Sequence, residues 1–529
     1  MKIGLEIMSD IVLNRSMNLG TGMAENDNDF LTKCFLETPE YKTLIDFDDK
    51  KTILLGRTGS GKTALIKMLL ANPKFVPIEI RPDTFALQYL TNIPIIREMK
   101  ETGLNLSVFY KFLWLHEIIS NIVKQYFRYN KNKDFFESIL ERFGNGGRVK
   151  DLKKYLEKND GIFFKPETVE RITEGLESNV GEKLGFSAFA GIKSNLKESQ
   201  KQEVQSKINQ HINSEQIAQL KNIITIFKDY FGMNMEQKII VTIDNLDENW
   251  TDENTKYHLI AALLDAVKMF IDIPNIKIVI AMRSDLLNKT IMEMHRQAEK
   301  DTAFTLKINW TKDMLEELVN KKLQYLFEYK YQKKTSVTFK QLFNCDISGI
   351  RGYKYILEKV FLRPRDIINF VNFCLINADG KYAVLSEHIL AAEDKYRTYL
   401  LSALKHEWLY LYPNIDLYIK AIRDSLNNSF IFDNALHKYD EIQSCLLSIS
   451  NYDNDQLIKD FLSCNNEYCK KDNIKKLINT AFIIGFLGKS GNTDSIIYSN
   501  ADVPELDMLD YDDYSFHIHP IFAKRANLN

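Results

Sequence analysis

The chain lacks what a membrane or secreted protein would carry. No apolar run reaches the ~18 residues needed to cross a bilayer. The opening Met1-Lys2-Ile3-Gly4-Leu5-Glu6 has no apolar core of a signal peptide. A cytoplasmic protein with no membrane contact is the expectation. Cysteine is sparse, 6 in 529 residues and scattered, which argues against a disulfide scaffold. An excess of one charge sign is missing too: the formal net charge is −2, so no global basic field attracts nucleic acid. Cys464 and Cys469 with His517 and His519 lack the spacing of paired zinc ligands. There is no Gly-x-Ser-x-Gly elbow for a serine hydrolase.

Against these absences one motif stands out. Gly56-Arg57-Thr58-Gly59-Ser60-Gly61-Lys62-Thr63 is G-x-x-x-x-G-K-T, the spacing of a phosphate-binding P-loop. Thr52–Leu55 before it reads as a short buried strand, and Ala64–Leu70 after it as a helix stopped by Asn72-Pro73. The three glycines permit backbone conformations that a Cβ would obstruct, so successive N–H groups can turn toward an anion. The helix end adds its positive dipole. In this pattern Lys62 reaches the β and γ phosphates and the Thr63 hydroxyl ligates Mg²⁺.

A second strand with an acidic tip is expected for the metal. Lys238-Ile239-Ile240-Val241-Thr242-Ile243-Asp244 has the β-branched composition of a central parallel strand. Asp244 is assigned to Mg²⁺, Asp247 to the attacking water, and Glu248 competes for that role. A third strand, Ile276–Met282, ends at Arg283. Arg283 reads either as a sensor of the γ phosphate or as an arginine capping the sheet edge through a salt bridge. In Leu362-Arg363-Pro364-Arg365-Asp366, Pro364 suits a first helical turn. Arg365 there opposes the helix dipole, and either a bound phosphate or Asp366 would compensate. The guanine signature Asn-Lys-x-Asp is missing, since Asn288-Lys289-Thr290 and Asn320-Lys321-Lys322 lack the aspartate. ATP is the expected nucleotide.

Taken together, the P-loop, Ile243-Asp244-Asn245-Leu246-Asp247-Glu248, Ala281-Met282-Arg283-Ser284-Asp285 and Arg363-Pro364-Arg365-Asp366 resemble the FunZ-type bacterial P-loop ATPases. That group is similar to the KAP and STAND ATPases and, more distantly, to AAA+ proteins. Ala24-Glu25-Asn26-Asp27 with Phe30-Leu31, and the ending Phe516–Phe522, also look like that group. Leu362 stands where a glycine is expected. The resemblance implies an ATP-dependent, oligomeric switch acting with a partner effector, often in bacterial defence. It carries Lys62, Thr63, Asp244 and Asp247 over as nucleotide and hydrolysis residues, Arg283 as a sensor and Arg365 as a lid arginine.

The expected fold is α/β, a P-loop NTPase with a parallel sheet. Residues 1–50 form a partly ordered lead-in, and 51–100 with 236–310 the ATPase core. Lys62 and Asp244 are 182 residues apart, far more than the ~30 of a simple crossover, so a helical insertion is placed at 101–235. It includes an apolar helix over 107–127, long helices over 196–231, and glycine breaks at 144–147 and 185–191. A helical lid spans 311–400, with Thr311 as a helix cap. Residues 401–529 are a winged-helix-like domain, in which a helix over 474–484 precedes a hairpin of 496–498 and 514–518. Its acidic Glu505, Asp507, Asp510, Asp512 and Asp513 repel phosphate, so DNA binding through Lys470, Lys471, Lys475 and Lys476 is kept as the alternative. That alternative is a DNA-associated loader or remodeller. A third reading is a scaffold that uses ATP only to fold.

Overall fold

In the computed structural model, the strand before the glycine motif is Ile53–Leu55 (β1), buried at every position. The structure describes residues 12–82, 105–129, 202, 218–232, 238–248, 252–332, 337–409, 411–448, 454–491, 495–507 and 511–524. The breaks at 144–147 and 185–191 and, of the long helices expected over 196–231, residues 196–201 and 203–217 lie outside them. By packing, the chain divides into two units. One comprises Glu37–Leu55 and Lys62–Leu306, the other Met1–Leu36, Gly56–Gly61 and Lys307–Asn529.

The first unit is built on an all-parallel five-stranded sheet. Its strands are β1, Phe75–Ile80 (β2), Lys238–Ile243 (β3), Ile276–Met282 (β4) and Thr305–Lys307 (β5), in the order β2-β3-β4-β1-β5. β3 and β4 are central and almost wholly apolar, as strands covered on both faces require. β2 carries Pro77 and lies at the edge, where a missing N–H is tolerated. The register sets Leu55 opposite Met282 and Ile243 opposite Ile280, so the ends of β1, β4 and β3 come to one margin of the sheet.

The main helices described in this unit are Pro39–Ile45 (α1), Lys62–Leu70 (α2), Ser107–Tyr129 (α3), Ala218–Phe231 (α4), Glu253–Val267 (α5) and Ser284–Glu293 (α6). α2 packs on β2, β3 and β4, while α3 packs on β2, β3 and α5. Ile53, Val241 and Ile278 share one apolar cluster with Trp114 of α3, Phe227 of α4 and Leu263 of α5. The Trp114 indole donates to the Leu259 carbonyl at 2.9 Å, fixing α3 on α5. The described ends of the expected helical insertion, 107–129 and 218–231, are helical and pack with the sheet. Both share the sheet's apolar cluster: α3 lays its apolar stripe on the sheet and α5, and α4 packs on α3. Lys277, the one charged residue of β4, donates to the carbonyls of Thr43 and Asp49, each at 2.9 Å, and of Asp46, closing the C-terminal end of α1. Burial pulls its pKa down to about 8.

The second unit is helical with a small antiparallel sheet. Its main helices are Lys312–Gln324 (α7), Pro364–Asn377 (α8), Ser386–Trp408 (α9) and Glu467–Ile483 (α10). Thr311 caps α7 as expected, its hydroxyl accepting from the Met314 N–H at 3.2 Å. α8 packs on α9, and Phe370 stacks on Tyr396 with ring centres 4.9 Å apart. The boundary expected at 400/401 falls inside α9, so lid and C-terminal segment are one packed unit. One apolar cluster runs through Leu318, Phe370, Tyr396, Ile422, Ile478 and Phe516.

Two further expectations are corrected here. Residues 12–50 are not a lead-in: Leu13, Met17, Leu19, Phe30 and Cys34 lie in this unit's core, and Tyr41 and Leu44 are buried in the first. Their helices, Asn28–Cys34 and Pro39–Ile45, are only seven residues each, and Leu13, Met17 and Leu19 lie outside any helix, so periodicity over a longer window does not reveal them. The segments 496–498 and 514–518 are strands, but they do not pair with each other. Ser429–Ile431 (β6), Leu487–Ser490 (β7), Ile497–Tyr498 (β8) and Ser515–Ile518 (β9) are ordered β8-β7-β9-β6. β7 lies between the two expected partners. Its Leu-Gly-Lys-Ser composition conceals it, and Gly488 is needed because a Cβ there would come within 2.5 Å of Ile496.

Candidate functional site

In the sheet-bearing unit, α2 begins at Lys62, directly after the glycine loop. Lys62 is 9% exposed and Asp244, just beyond β3, is 8% exposed. The Thr63 hydroxyl donates to the Asp244 carboxylate, and the Asn245 N–H does so at 2.9 Å. Burial pushes the Asp244 pKa up. The two hydrogen bonds and the Lys62 ammonium pull it down, and the charge of Asp247 adds a smaller upward push. A buried carboxylate, a hydroxyl and an ammonium thus converge at the C-terminal margin of a parallel sheet. Asn245 adopts φ 63°, a left-handed turn that an asparagine tolerates. After it, Leu246 is buried while Asp247 and Glu248 are exposed. Asp247 acts on Asp244 by charge.

β4 separates β1 from β3, so Arg283, the residue after β4, follows the strand between the glycine loop's strand and that of Asp244. Its guanidinium forks onto Asp285, with Nε at 2.9 Å and Nη2 at 3.0 Å. That is the salt-bridge arrangement among the two alternatives read from sequence.

The glycine loop itself is described with the second unit. Gly59 and Gly61 adopt φ 79° and 98°. A Cβ on Gly59 would stand 3.1 Å from the Arg365 Cβ, so the lid arginine lies directly against the loop. Arg365 Nε, Thr58 Oγ1 and Ser60 Oγ are buried and make no hydrogen bond within the protein. Asp366 does not compensate Arg365: it binds Arg363 and accepts from the Tyr396 hydroxyl at 3.1 Å. Arg57 turns away from the loop, Nη2 donating to the Ile484 carbonyl at 3.0 Å and Nη1 to that of Ser499 at 3.3 Å.

The second unit also carries the stretch recognised by comparison. Residues 313–405 match the FunZ-associated C-terminal helical domain. The match covers α7 to α9, with Arg365 and Arg363 inside it. The chain is also 23% identical over 431 residues to a transposon gamma-delta 80.3 kDa protein of Escherichia coli (strain K12), an alignment spanning 78% of this chain and 54% of that protein. The chain therefore spans about half the length of the curated relative it matches.

Residues that sequence reading missed are Arg363, Trp310, and the pair of Asp27 with Lys322. Arg363 stood in the quoted run, but nothing local says which of two arginines takes Asp366. Asp27 and Lys322 form a largely buried ion pair at 3.3 Å, joining the N-terminal segment to α7. Among the described residues no group of three or more His, Cys, Asp or Glu could hold a metal, and no helix is long and apolar enough to cross a membrane.

Proposed function

We propose that the protein is an ATP-binding and ATP-hydrolysing regulatory switch of the P-loop class that works on a partner effector, as a homo-oligomer, in bacterial defence. One observation carries the reading: the Thr63 hydroxyl, at the start of the helix after the glycine motif, is hydrogen-bonded to the buried Asp244 beyond β3. Two oxygen donors of this kind suit Mg²⁺, a hard cation that takes oxygen ligands and keeps several waters. The buried Thr58 Oγ1, Ser60 Oγ and Arg365 Nε, which find no partner in the protein, suit an anion in the loop. Bound Mg²⁺ would neutralise developing charge on the phosphates.

The chain's own residues divide the remaining work. Amides of 56–63 and Lys62 bind the phosphates and fix their orientation. Asp247, exposed beside Asp244, orients the water and takes its proton, with Glu248 as the competitor. Arg365, packed on Gly59, answers to charge on the transferred phosphoryl group. Arg283, forked onto Asp285, serves as a sensor only if that fork opens. Lys62→Ala is expected to abolish nucleotide binding, and Asp247→Asn to bind ATP–Mg with turnover reduced at least ~100-fold. Wild-type ATPase rates in purified Lys62→Ala refute the assignment.

A second reading, a DNA-associated ATPase, draws on the relative's name, which ties that protein to a transposon. It also draws on the β6, helices, β7 and β9 succession, which is winged-helix-like in outline. Local charge weighs against it. Lys476 is engaged by Asp460 and Asp472, Lys470 by Asp440 and Glu467, and Lys475 lies over the Tyr511 ring. DNA-stimulated turnover that declines steeply with salt would favour this reading over the first.

A further inference from the structure

An anion-binding loop requires its peptide planes to be turned so that N–H groups converge. Each plane so turned sends its carbonyl outward into the surrounding protein, where it needs a donor. Two such donors are present. Arg363 Nη1 donates to the Thr58 carbonyl at 3.0 Å, and the Trp310 indole Nε1 donates to the Ser60 carbonyl at 2.8 Å. Both are held in place. The Arg363 side chain is 8% exposed, bonds Asp366 through Nε and Glu407 at 3.3 Å, and stands over the Phe361 ring at 5.0 Å. Trp310 precedes the capped start of α7, and its ring is the nearest side chain to a Cβ built on Gly61, at 3.9 Å.

We propose that Arg363 and Trp310 are positioning residues for the phosphate groups. By fixing the carbonyls of Thr58 and Ser60 outward, they keep the loop's amides turned toward the ligand. The proposal rests on the nucleotide reading above. The physical consequence is a preformed loop: without these donors a peptide plane can flip and present a carbonyl lone pair to the phosphate, which repels it. Neither residue belongs to the glycine motif, and neither is assigned contact with nucleotide.

The test is steady-state ATPase kinetics with Mg²⁺ on the full chain. Trp310→Phe keeps the ring and removes only the N–H. It is expected to raise the KM for ATP about fivefold, the worth of one neutral hydrogen bond, with kcat within twofold of wild type. Arg363→Lys keeps the charge but loses the fork, and a KM increase of at least tenfold is expected. The thermal midpoint of nucleotide-free Trp310→Phe should match wild type, which separates positioning from general unfolding. A wild-type KM in both variants, alongside a Lys62→Ala variant that no longer turns over, overturns the positioning role and leaves the nucleotide site standing. A wild-type chain that neither binds nor hydrolyses ATP, like Lys62→Ala, removes the nucleotide reading beneath it.

Discussion

His519 gives the chain a calculable sensitivity to acid. The side chain is 4% exposed, in edge-on contact with the Phe361 and Tyr498 rings, both centred 4.7 Å away. Nδ1 accepts from the Ile521 N–H at 3.4 Å, which fixes the neutral ring with its proton on Nε2. Burial, reinforced by Lys359, Arg363 and Lys312, holds its pKa down at about 3, against 6.5 for an ordinary histidine. The unfolded chain therefore takes up a proton below pH 6.5 that the folded chain refuses. Stability is fully present above pH 6.5 and falls as the pH drops toward 3. From pH 7.5 to pH 5.0 the loss is about 2 kcal/mol, at ~1.36 kcal/mol per pH unit below 6.5. The perturbation is His519→Phe, which keeps a ring and cannot titrate. Urea unfolding of both proteins at the two pH values, followed by near-UV circular dichroism, gives the difference directly, since titrations common to both cancel. The variant should lose about 2 kcal/mol less than wild type over that interval. Equal losses within ~0.5 kcal/mol would show that His519 titrates normally and refute the argument.

Gly20→Ala should destabilise the helical unit by ~2 kcal/mol or more, because φ is 93° and the new Cβ would fall 2.0 Å from the Asp27 carboxylate that pairs with Lys322; a thermal midpoint unchanged from wild type would contradict this. Leu113, fully buried on α3, should cost ~2–5 kcal/mol as Leu113→Ala if that helix belongs to the sheet's core. A loss below ~1 kcal/mol in urea unfolding would place α3 outside it. Gly59→Ala combines φ 79° with a Cβ 3.1 Å from Arg365, so on the proposed nucleotide reading ATP affinity measured by titration should fall at least ~tenfold. Binding at wild-type strength would mean the loop reshapes freely.

What was legible in the sequence follows from how local each signal is. The β1–loop–α2 unit, β3 with its terminal Asp244, and β4 carry their evidence in consecutive residues, and the structure has all three where the pattern set them. Thr311 was likewise readable as a cap. Nothing local reported that β4 lies between β1 and β3, nor that Asp366 serves Arg363 and not Arg365, because partner choice is made by packing between distant segments. The N-terminal 12–36 stretch was misjudged for the same reason: Leu13, Met17 and Leu19 are buried by α8 and its neighbours, with no repeat of their own to announce it. β7 failed the composition test for a strand, since its glycine meets a steric need and not a propensity.

Arg57 occupies a variable position of the glycine motif, yet its guanidinium reaches acceptors 427 and 442 residues further along the chain. A protein shortened before Ile484 would keep all eight motif residues and still lose both of these tethers. For anyone trimming this molecule to a fragment around the glycine loop, the end of α10 and the turn after β8 are scaffolding for the loop and not a dispensable tail.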